Sequence, residues 1–206
     1  YGNCQVPWLA QLLSAVDRSD GQLGYLSVLN HGPEGDVLQV PSRRDLARCR
    51  LYLEQYDGEI FLRQREEVRD GLPRGCPRAL FPSYIASFLW PLRVPEPTPM
   101  RDVHYVFGRY CEGDRIALQV RAAGLRGEAA VDEYLRRSCS SMPNLDRRLA
   151  VDIAFMEHRD RVCDVQIGDI VREHFREQHL FWNFGHVSSL GTGELAVRVW
   201  NTVASE

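Results

Sequence analysis

The feature that most constrains the fold is an alternation of short apolar runs with amphipathic helical patterns over the first third of the chain. Residues 24–29 and 59–64 are short runs typical of strands, and residues 45–56 between them have the apolar spacing of a helix. This βαβ order predicts an α/β fold with a small parallel sheet flanked by helices. In such a sheet, ligands bind at the carboxyl ends of the strands.

The remaining patterns predict one more strand and a second half that is mostly helical. Residues 79–82 indicate a strand, and the prolines of residues 93–103 favour an extended surface connection. Helical patterns follow at residues 114–124, 128–137, 144–156, 165–175 and 188–203. We therefore expect one domain over residues 1–206, and we expect that a strand belonging before Tyr1 is missing from the sequence.

Cys4 lies at the predicted entrance of the first helix. Pro7 suits a first helical turn, and apolar residues follow at helical spacing: Trp8, Leu9, Leu12, Leu13 and Val16. A cysteine that caps a helix faces unpaired N–H groups and the positive end of the helix dipole, which favours a reactive thiolate. Gly2 allows a substrate to approach the backbone closely. The alternative is a small, buried, structural cysteine.

Charge and cysteine usage exclude several classes of protein. The net charge of the 206 residues is −3, so no global basic field attracts nucleic acid or an anionic membrane. All 25 basic residues are arginine, and no apolar run approaches the roughly 18 residues needed to span a bilayer. The six cysteines form no CxxC pair, and no histidines have metal-ligand spacing, so we expect reduced thiols, no metal and a cytoplasmic protein.

His186 is the candidate base for Cys4. It ends an Asn-x-x-His turn that begins at Asn183, just ahead of the last predicted helix. A helix-leading cysteine and this histidine are the two parts of a thiol nucleophile, provided that the fold brings them together; a structural histidine is the alternative. Candidate oxyanion- or substrate-binding residues are Gly2, Asn3, Gln5 and Gln64.

Several motifs, taken together, resemble the WcbI-type capsular polysaccharide biosynthesis family. They are Gly2-Asn3-Cys4-Gln5, Gly108-Arg109-Tyr110 followed by Gly113-Asp114-Arg115, residues 164–170, and residues 180–186. The resemblance covers nearly the whole chain, and the Gly-Asn-Cys-Gln tetrad is its strongest element. It implies an SGNH-hydrolase-like α/β fold in which Cys4 replaces the esterase serine and the segment from Asn183 to His186 replaces the Asp-x-x-His segment.

The same resemblance implies a coenzyme A-binding protein that acetylates capsule sugars, with acetyl-CoA as donor and a sugar or polysaccharide precursor as acceptor. The phosphates of coenzyme A require arginines, and the candidates are Arg63, Arg65, Arg109 and Arg115. Acyl transfer would pass through Cys4, or His186 would activate the sugar hydroxyl for direct attack. Two other classes stay open: an SGNH-like carbohydrate esterase, and a non-catalytic module that binds coenzyme A or sugar.

Overall fold

The computed structural model describes residues 1–17, 21–31, 40–56, 62–95, 100–102, 105–109 and 112–204. The helices of these residues are α1 (Val6–Val16), α2 (Arg43–Leu46), α3 (Leu62–Asp70), α4 (Arg115–Ala122), α5 (Gly127–Ser141), α6 (Leu145–Asp160), α7 (Gly168–His174) and α8 (Ser189–Ala204). The strands are β1 (Tyr52–Tyr56), β2 (Arg78–Pro82), β3 (Arg93–Pro95), β4 (Met100–Asp102), β5 (Tyr105–Arg109), β6 (Glu112–Asp114), β7 (Phe181–Asn183) and β8 (His186–Val187).

Residue contacts divide the chain into two compact units. The first consists of Tyr1–His31, Val37–Ile85 and Ile153–Glu206, and the second of Gly32–Asp36 and Ala86–Asp152. Each unit has its own hydrophobic core. The single domain expected over residues 1–206 stays a prediction.

The first unit contains the parallel pairing that the sequence predicted. β1 and β2 pair in parallel over five residues each, which confirms the mixed α/β class and the strand predicted at residues 79–82. The helix predicted at residues 45–56 is wrong, because only α2 is helical there and β1 follows it. Tyr52, Glu54 and Gln55 of β1 are all buried, and burial on both faces favours a central strand over the helical spacing of the apolar residues.

Residues 1–2 extend this sheet on the other side of β1. The amine of Tyr1 donates to the Leu53 carbonyl at 2.8 Å, and the Gln55 N–H donates to the Tyr1 carbonyl at 2.8 Å. On its far side, Gly2 forms a parallel bridge with Leu29. The order across the sheet is therefore residues 28–30, residues 1–2, β1 and β2.

Two of the predicted strands have a different structure. Within residues 24–29, only Leu29 makes a bridge, so the predicted strand is reduced to one paired residue. Of the strand predicted at residues 59–64, residues 59–61 lie outside the described residues and residues 62–64 begin α3. A run of six residues is too short for its periodicity to distinguish the two structures. Burial of Arg65 and Val68, three positions apart on α3, matches a helix.

α1 was predicted correctly, with Pro7 in its first turn. Its buried residues are Val6, Leu9 and Leu13, whereas Trp8 and Val16, which were expected on the same face, are exposed. α1 packs against α8, which confirms the closing helix predicted at residues 188–203. The helix predicted at residues 144–156 is confirmed as α6, which extends to Asp160. The helix predicted at residues 165–175 is shorter in the structure: α7 begins at Gly168, where both carboxylate oxygens of Asp160 accept hydrogen bonds from backbone N–H groups.

The second unit combines short antiparallel pairs with helices. β3 pairs with β6 and β4 with β5, so parts of the connection predicted at residues 93–103 are paired strands. α4 begins at its N-cap Asp114, whose carboxylate accepts hydrogen bonds from Ile116 N and Ala117 N. α4 packs on α5 around Leu92, Ile116 and Val120, and both predicted helices are confirmed, although α5 is longer than expected.

Candidate active site

The structure brings Cys4 and His186 together across 182 positions of sequence. The Cys4 Sγ lies 3.6 Å from the His186 Nε2. Cys4 follows residues 1–2, at the carboxyl end of a segment that pairs in parallel with its neighbours. Residues 28–30, which come next in the chain, pair on one side of residues 1–2, and β1, which follows later, pairs on the other side. Cys4 therefore lies at a topological switch point of the sheet, where open α/β sheets bind ligands.

Asn183 fixes the orientation of the His186 ring. Its Oδ1 accepts hydrogen bonds from the backbone N–H groups of Gly185 (3.0 Å) and His186 (2.9 Å), so this atom must be the amide oxygen. The same Oδ1 lies 2.9 Å from the His186 Nδ1. An oxygen acceptor requires a proton on Nδ1, which leaves the lone pair of Nε2 facing the sulfur. The neutral ring is therefore arranged as a base toward Cys4.

Burial sets the resting state of the Cys4 thiol. The side chain is half-buried, and desolvation raises the pKa of Cys4, against a smaller lowering by a hydrogen bond from its own backbone N–H. This direction is opposite to the thiolate expected from the helix entrance. One structural reason is that Gln5, not Cys4, is the N-cap of α1. Cys4 therefore rests as a thiol, and its activation requires a base such as the Nε2 of His186.

Gln5 is placed differently from the substrate-binding role that we expected. Its side chain is only 6% exposed, and its Nε2 donates to the carbonyls of Tyr84 (2.9 Å) and Gly185 (3.1 Å). Its Oε1 accepts from Tyr84 N at 3.3 Å and from Gln55 Nε2 at 3.0 Å. All its polar atoms thus bind protein groups. Gln5 tethers the start of α1 to the turn that carries His186.

Gln55 and Gly2 fit against each other beside the cysteine. Gln55 is 1% exposed, and its Oε1 accepts from Asn3 N at 2.9 Å. A Cβ at Gly2 would lie 2.5 Å from the Gln55 Cβ and 2.8 Å from a methyl group of Val6. Gly2 is therefore required by close packing of the backbone against β1, rather than by contact with a substrate.

Asn3 remains a candidate for holding an oxyanion. Its Oδ1 accepts from Gln5 N at 2.9 Å, which fixes the turn ahead of α1 and leaves the Nδ2 amino group as the donor end of the side chain. Gln64 is bound elsewhere: its Nε2 donates to the Leu29 carbonyl at 3.1 Å, and its Oε1 accepts from the Tyr1 hydroxyl at 3.3 Å. Gln64 thus joins α3 to the sheet.

The two candidate arginines of the first unit, Arg63 and Arg65, both pair with acidic residues. Arg63 is 94% exposed and pairs with Glu67, one turn along α3. Arg65 is buried and lies 3.7 Å from the buried carboxylate of Glu54. Arg115 belongs to the second unit, where its guanidinium donates to the Ser141 carbonyl at 3.3 Å. The side chain of Arg109 lies outside the described residues.

Sequence reasoning missed two residues that organise this site, Gln55 and Tyr84. Gln55 was assigned to a helix, and Tyr84 only to a buried run. The available signal was that Gln55 lies between Tyr52 and Tyr56, in a segment rich in aromatic residues. A glutamine buried in such a segment needs hydrogen-bond partners for its amide. Identifying those partners requires the topology, because Asn3 and Gln5 are about fifty positions away.

These features define a class: an α/β protein with a cysteine–histidine site at the carboxyl edge of parallel strands. The family is identified by comparison with known proteins. The chain belongs to the WcbI family, because the family model described as polysaccharide biosynthesis enzyme WcbI matches residues 1–205. No curated protein matches the chain.

A solved structure of a WcbI protein has the same fold. It superimposes with a TM-score of 0.72 at 16% sequence identity, covering 98% of this chain and 68% of the other. That protein is described as a novel polysaccharide biosynthesis enzyme, in a native form without the disulfide bond between coenzyme A and one of its cysteines. The SGNH-like character of the fold stays a prediction.

The described part of the chain contains neither a cluster of metal-binding side chains nor a membrane-spanning helix. Within that part, no three histidine, cysteine, aspartate or glutamate side chains are grouped closely enough to hold a metal ion. None of the helices in the same part has both the length and the apolar character needed to cross a membrane.

Proposed function

We propose that this protein transfers an acyl group, such as acetyl, from a coenzyme A thioester to a sugar hydroxyl through Cys4. The observation that carries the proposal is the 3.6 Å contact between the Cys4 Sγ and a His186 ring whose Nδ1 is bound by Asn183. Membership of a polysaccharide biosynthesis family supports a sugar acceptor. The disulfide between coenzyme A and a cysteine, named for the solved relative, supports a thiol within reach of coenzyme A.

The first half-reaction begins with a proton transfer. The Nε2 of His186 accepts the proton of the Cys4 thiol, and Asn183 stabilises the imidazolium through Nδ1. The Cys4 sulfur attacks the thioester carbonyl and forms a new carbon–sulfur bond. The bond to the leaving sulfur then breaks, and His186 returns its proton to that sulfur. The product is an acyl group bound to Cys4.

Negative charge develops on the carbonyl oxygen during this attack. The backbone N–H groups of Asn3 and Gln5 are bound to Gln55 and to the Asn3 side chain, respectively. Two further donors of this turn are the Cys4 N–H, which points to the Cys4 sulfur, and the Nδ2 of the preceding Asn3. We assign these two groups to the oxyanion, since donors fixed before the reaction stabilise developing charge without reorganisation.

The second half-reaction uses the same groups in reverse. His186 accepts the proton of a sugar hydroxyl, the hydroxyl oxygen attacks the acyl carbon, and the carbon–sulfur bond to Cys4 breaks. His186 then protonates the Cys4 sulfur, which restores the thiol. The thiol is also the resting state that burial favours through the raised pKa of Cys4.

The residues fit the thiol end of coenzyme A better than its phosphates. Cys4 is partly accessible and has a base in contact, as thioester exchange requires. Arg65 is buried against Glu54, so it is a poor phosphate ligand. Among the predicted arginines, Arg63 and Arg115 have exposed side chains and remain candidates. Coenzyme A supplies an activated acyl group, and the residues at Cys4 supply nucleophile and base.

Intact-protein mass spectrometry tests the covalent route. Wild type incubated with acetyl-CoA without an acceptor should gain one acetyl group, which peptide mapping should place on Cys4. Cys4→Ser should lose most activity, and Cys4→Ala should lose both label and transfer. Full transfer activity in Cys4→Ala would refute acyl-Cys4 and leave direct attack by a sugar hydroxyl activated by His186.

Hydrolysis is the second candidate function, because the contact between Cys4 and His186 is exposed to solvent. In an SGNH-like carbohydrate esterase, an acyl ester of a glycan would replace the thioester in the first half-reaction, and water would replace the sugar hydroxyl in the second. The two functions differ in the fate of the acyl group. Label on Cys4 that persists for hours in buffer and leaves when a sugar acceptor is added supports transfer; rapid loss in buffer alone supports hydrolysis.

A further inference from the structure

We propose that Gln55 is a positioning residue. It fixes the distance between the turn that contains Asn3 and Cys4 and the turn that contains Gly185 and His186. Its side chain acts on the site through the neighbours of Cys4 and His186. Its effect on catalysis rests on the proposed function, whereas its effect on the geometry of the pair does not.

A continuous chain of hydrogen bonds, the Gln55 relay, runs through the interior from Asn3 through Gln55 and Gln5 to Gly185. Asn3 N donates to Gln55 Oε1 at 2.9 Å, and Gln55 Nε2 donates to Gln5 Oε1 at 3.0 Å. Gln5 Nε2 then donates to the Gly185 carbonyl at 3.1 Å. Asn3 directly precedes Cys4, and Gly185 directly precedes His186. Two side-chain amides therefore join the backbone beside the nucleophile to the backbone beside the base.

The direction of this relay is fixed at both ends. A backbone N–H at Asn3 can only donate, so it requires an oxygen from Gln55. Carbonyls at Tyr84 and Gly185 can only accept, so they require the amino group of Gln5 and turn its oxygen toward Gln55. Position 55 must then accept from one side and donate to the other. Glutamine does both, whereas glutamate and methionine do not.

Burial makes this requirement strict. Gln55 is 1% exposed and Gln5 is 6% exposed, so water cannot easily replace a lost partner of either amide. When a hydrogen bond of the relay is lost, a buried polar group has no partner. Movement of the Asn3 turn or of the Gly185 turn lets that group reach another partner or water most readily. Either movement changes the distance between the Cys4 sulfur and the His186 ring.

A double-mutant cycle on the alkylation of Cys4 by iodoacetamide measures this effect without any acyl transfer. In wild type, His186→Ala should slow alkylation at neutral pH by at least about tenfold, because the base is removed. In Gln55→Met, the same change should alter the rate by less than about twofold, because the ring no longer meets the sulfur. Peptide mass spectrometry separates Cys4 from the other cysteines.

Val68→Ala is the control for lost stability. Val68 is buried in α3, and its truncation weakens the core of the same unit without touching the relay. The full effect of His186→Ala should persist in this background. An equally large effect of His186→Ala in folded Gln55→Met would overturn the proposal.

Gln55→Glu provides a second variant if Gln55→Met fails to fold. It keeps the side-chain volume and an acceptor for Asn3 N, but its carboxylate faces the Gln5 Oε1 without a proton to donate. The expected coupling loss is the same. With acetyl-CoA and a sugar acceptor, both variants should lower kcat while leaving KM within about twofold, as expected for a misplaced base rather than a lost binding group.

A crystal structure of a folded Gln55 variant separates the two proposals. If His186→Ala does not change the alkylation rate of Cys4 in the wild-type background, the proposed function fails. The positioning role of Gln55 is then decided only by the crystal structure of the Gln55 variant. A Cys4 Sγ to His186 Nε2 distance clearly longer than 3.6 Å would support the relay. An unchanged distance would refute it.

Discussion

The chemistry of this site depends on which atoms of three side chains carry protons. Two backbone N–H groups bind Asn183 Oδ1 and so determine the orientation of the amide. That orientation places the proton of the neutral His186 ring on Nδ1, and Nε2 can then accept the proton of the Cys4 thiol. No step of this argument needs an ionised residue in the resting state. A neutral thiol and a neutral imidazole in contact are sufficient for the proposed acyl transfer, in which the proton moves only when the acyl carbon is attacked.

Asn183→Leu should therefore disable the base without removing it. The variant keeps the approximate size of the side chain but loses the acceptor for Nδ1 and for two backbone N–H groups. We expect kcat for acyl transfer to fall roughly a hundredfold, with KM little changed. Asn144→Ala is the matched control, since it removes the side-chain cap at the start of α6, at a cost of about 1 kcal/mol, and Asn144 itself belongs to the other unit. Equal losses in both variants would mean that Asn183 is only structural.

The raised pKa of Cys4 can be measured once its base is removed. In His186→Ala, alkylation of Cys4 should follow a single titration whose midpoint lies above that of a free cysteine, about 8.5. Burial disfavours the thiolate, so the reactive fraction at neutral pH is smaller than in an exposed thiol. The pH dependence of the alkylation rate checks this. A midpoint below about 8 would show that the entrance of α1 dominates over burial.

At the scale of elements, contact between the first backbone segment and β1 leaves no room for a side chain at position 2. Gly2→Ala places a Cβ 2.5 Å from the Cβ of Gln55, and β1 has to shift to accommodate it. We expect a loss of about 1–3 kcal/mol in the free energy of unfolding, as in overpacked cores. Urea unfolding measures the change.

Gly193→Ala is the internal control for this prediction. Gly193 lies in α8, and a Cβ there meets no atom within 4 Å. Alanine should stabilise the helix by about 0.5–1 kcal/mol. If the two alanine substitutions change stability in the same direction, close packing at Gly2 is not what requires glycine.

A buried ion pair fastens α3 to β1. The carboxylate of Glu54 is bound by Arg69 at 2.6 and 2.8 Å and lies 3.7 Å from the buried Arg65. Glu54→Gln should destabilise the protein by about 3–5 kcal/mol, because two arginines, one of them buried, lose the negative charge that they share. Glu67→Gln removes the carboxylate of an exposed pair on the same helix and should cost less than about 1 kcal/mol. Thermal unfolding of the two variants gives the comparison.

The errors of the sequence predictions follow from what local spacing can encode. Residues 114–124 and 188–203 are long, and their apolar residues face one side, so both helices were predicted with nearly correct ends. Residues 45–56 combine a short helix with a strand buried on both faces, and no period distinguishes these. Cys4 and His186 were recognisable as a pair, because a nucleophile needs a base. The Gln55 relay was not, since its partners are set by topology.

The order of the sheet places the start of the chain in the interior of the first unit, and this brings Cys4 to His186. Residues 1–2 lie between residues 28–30 and β1, and α1 leaves this position to pack on α8. α8 follows directly after β8, which begins with His186. The helix that starts beside the cysteine therefore packs on the helix that follows the histidine. Packing of these helices is a second connection between the Cys4 turn and the His186 turn, beside the hydrogen bonds of Gln5.

Three of the other described cysteines have surroundings that differ from those of Cys4. Burial raises the pKa of Cys76 to about 11 and that of Cys163 to about 12, so both are weak nucleophiles at neutral pH. Cys139 is exposed. A small reagent such as iodoacetamide should therefore label Cys139 readily, whereas the proposed function predicts that a reagent carrying the coenzyme prefers Cys4.

Coenzyme A disulfide tests this preference. The Cys4 sulfur attacks the disulfide, a mixed disulfide with coenzyme A forms on Cys4, and one coenzyme A thiol leaves with the proton taken from Cys4. We expect labelling of Cys4 to exceed that of Cys139 by at least about tenfold at neutral pH, because binding raises the local concentration of the reagent. Excess coenzyme A thiol would reduce the adduct, so the reaction is run without it and followed by peptide mass spectrometry. Preferential labelling of Cys139 would show that the coenzyme does not bind beside Cys4, and the acyltransferase proposal would then fail even with the thiol–imidazole pair intact.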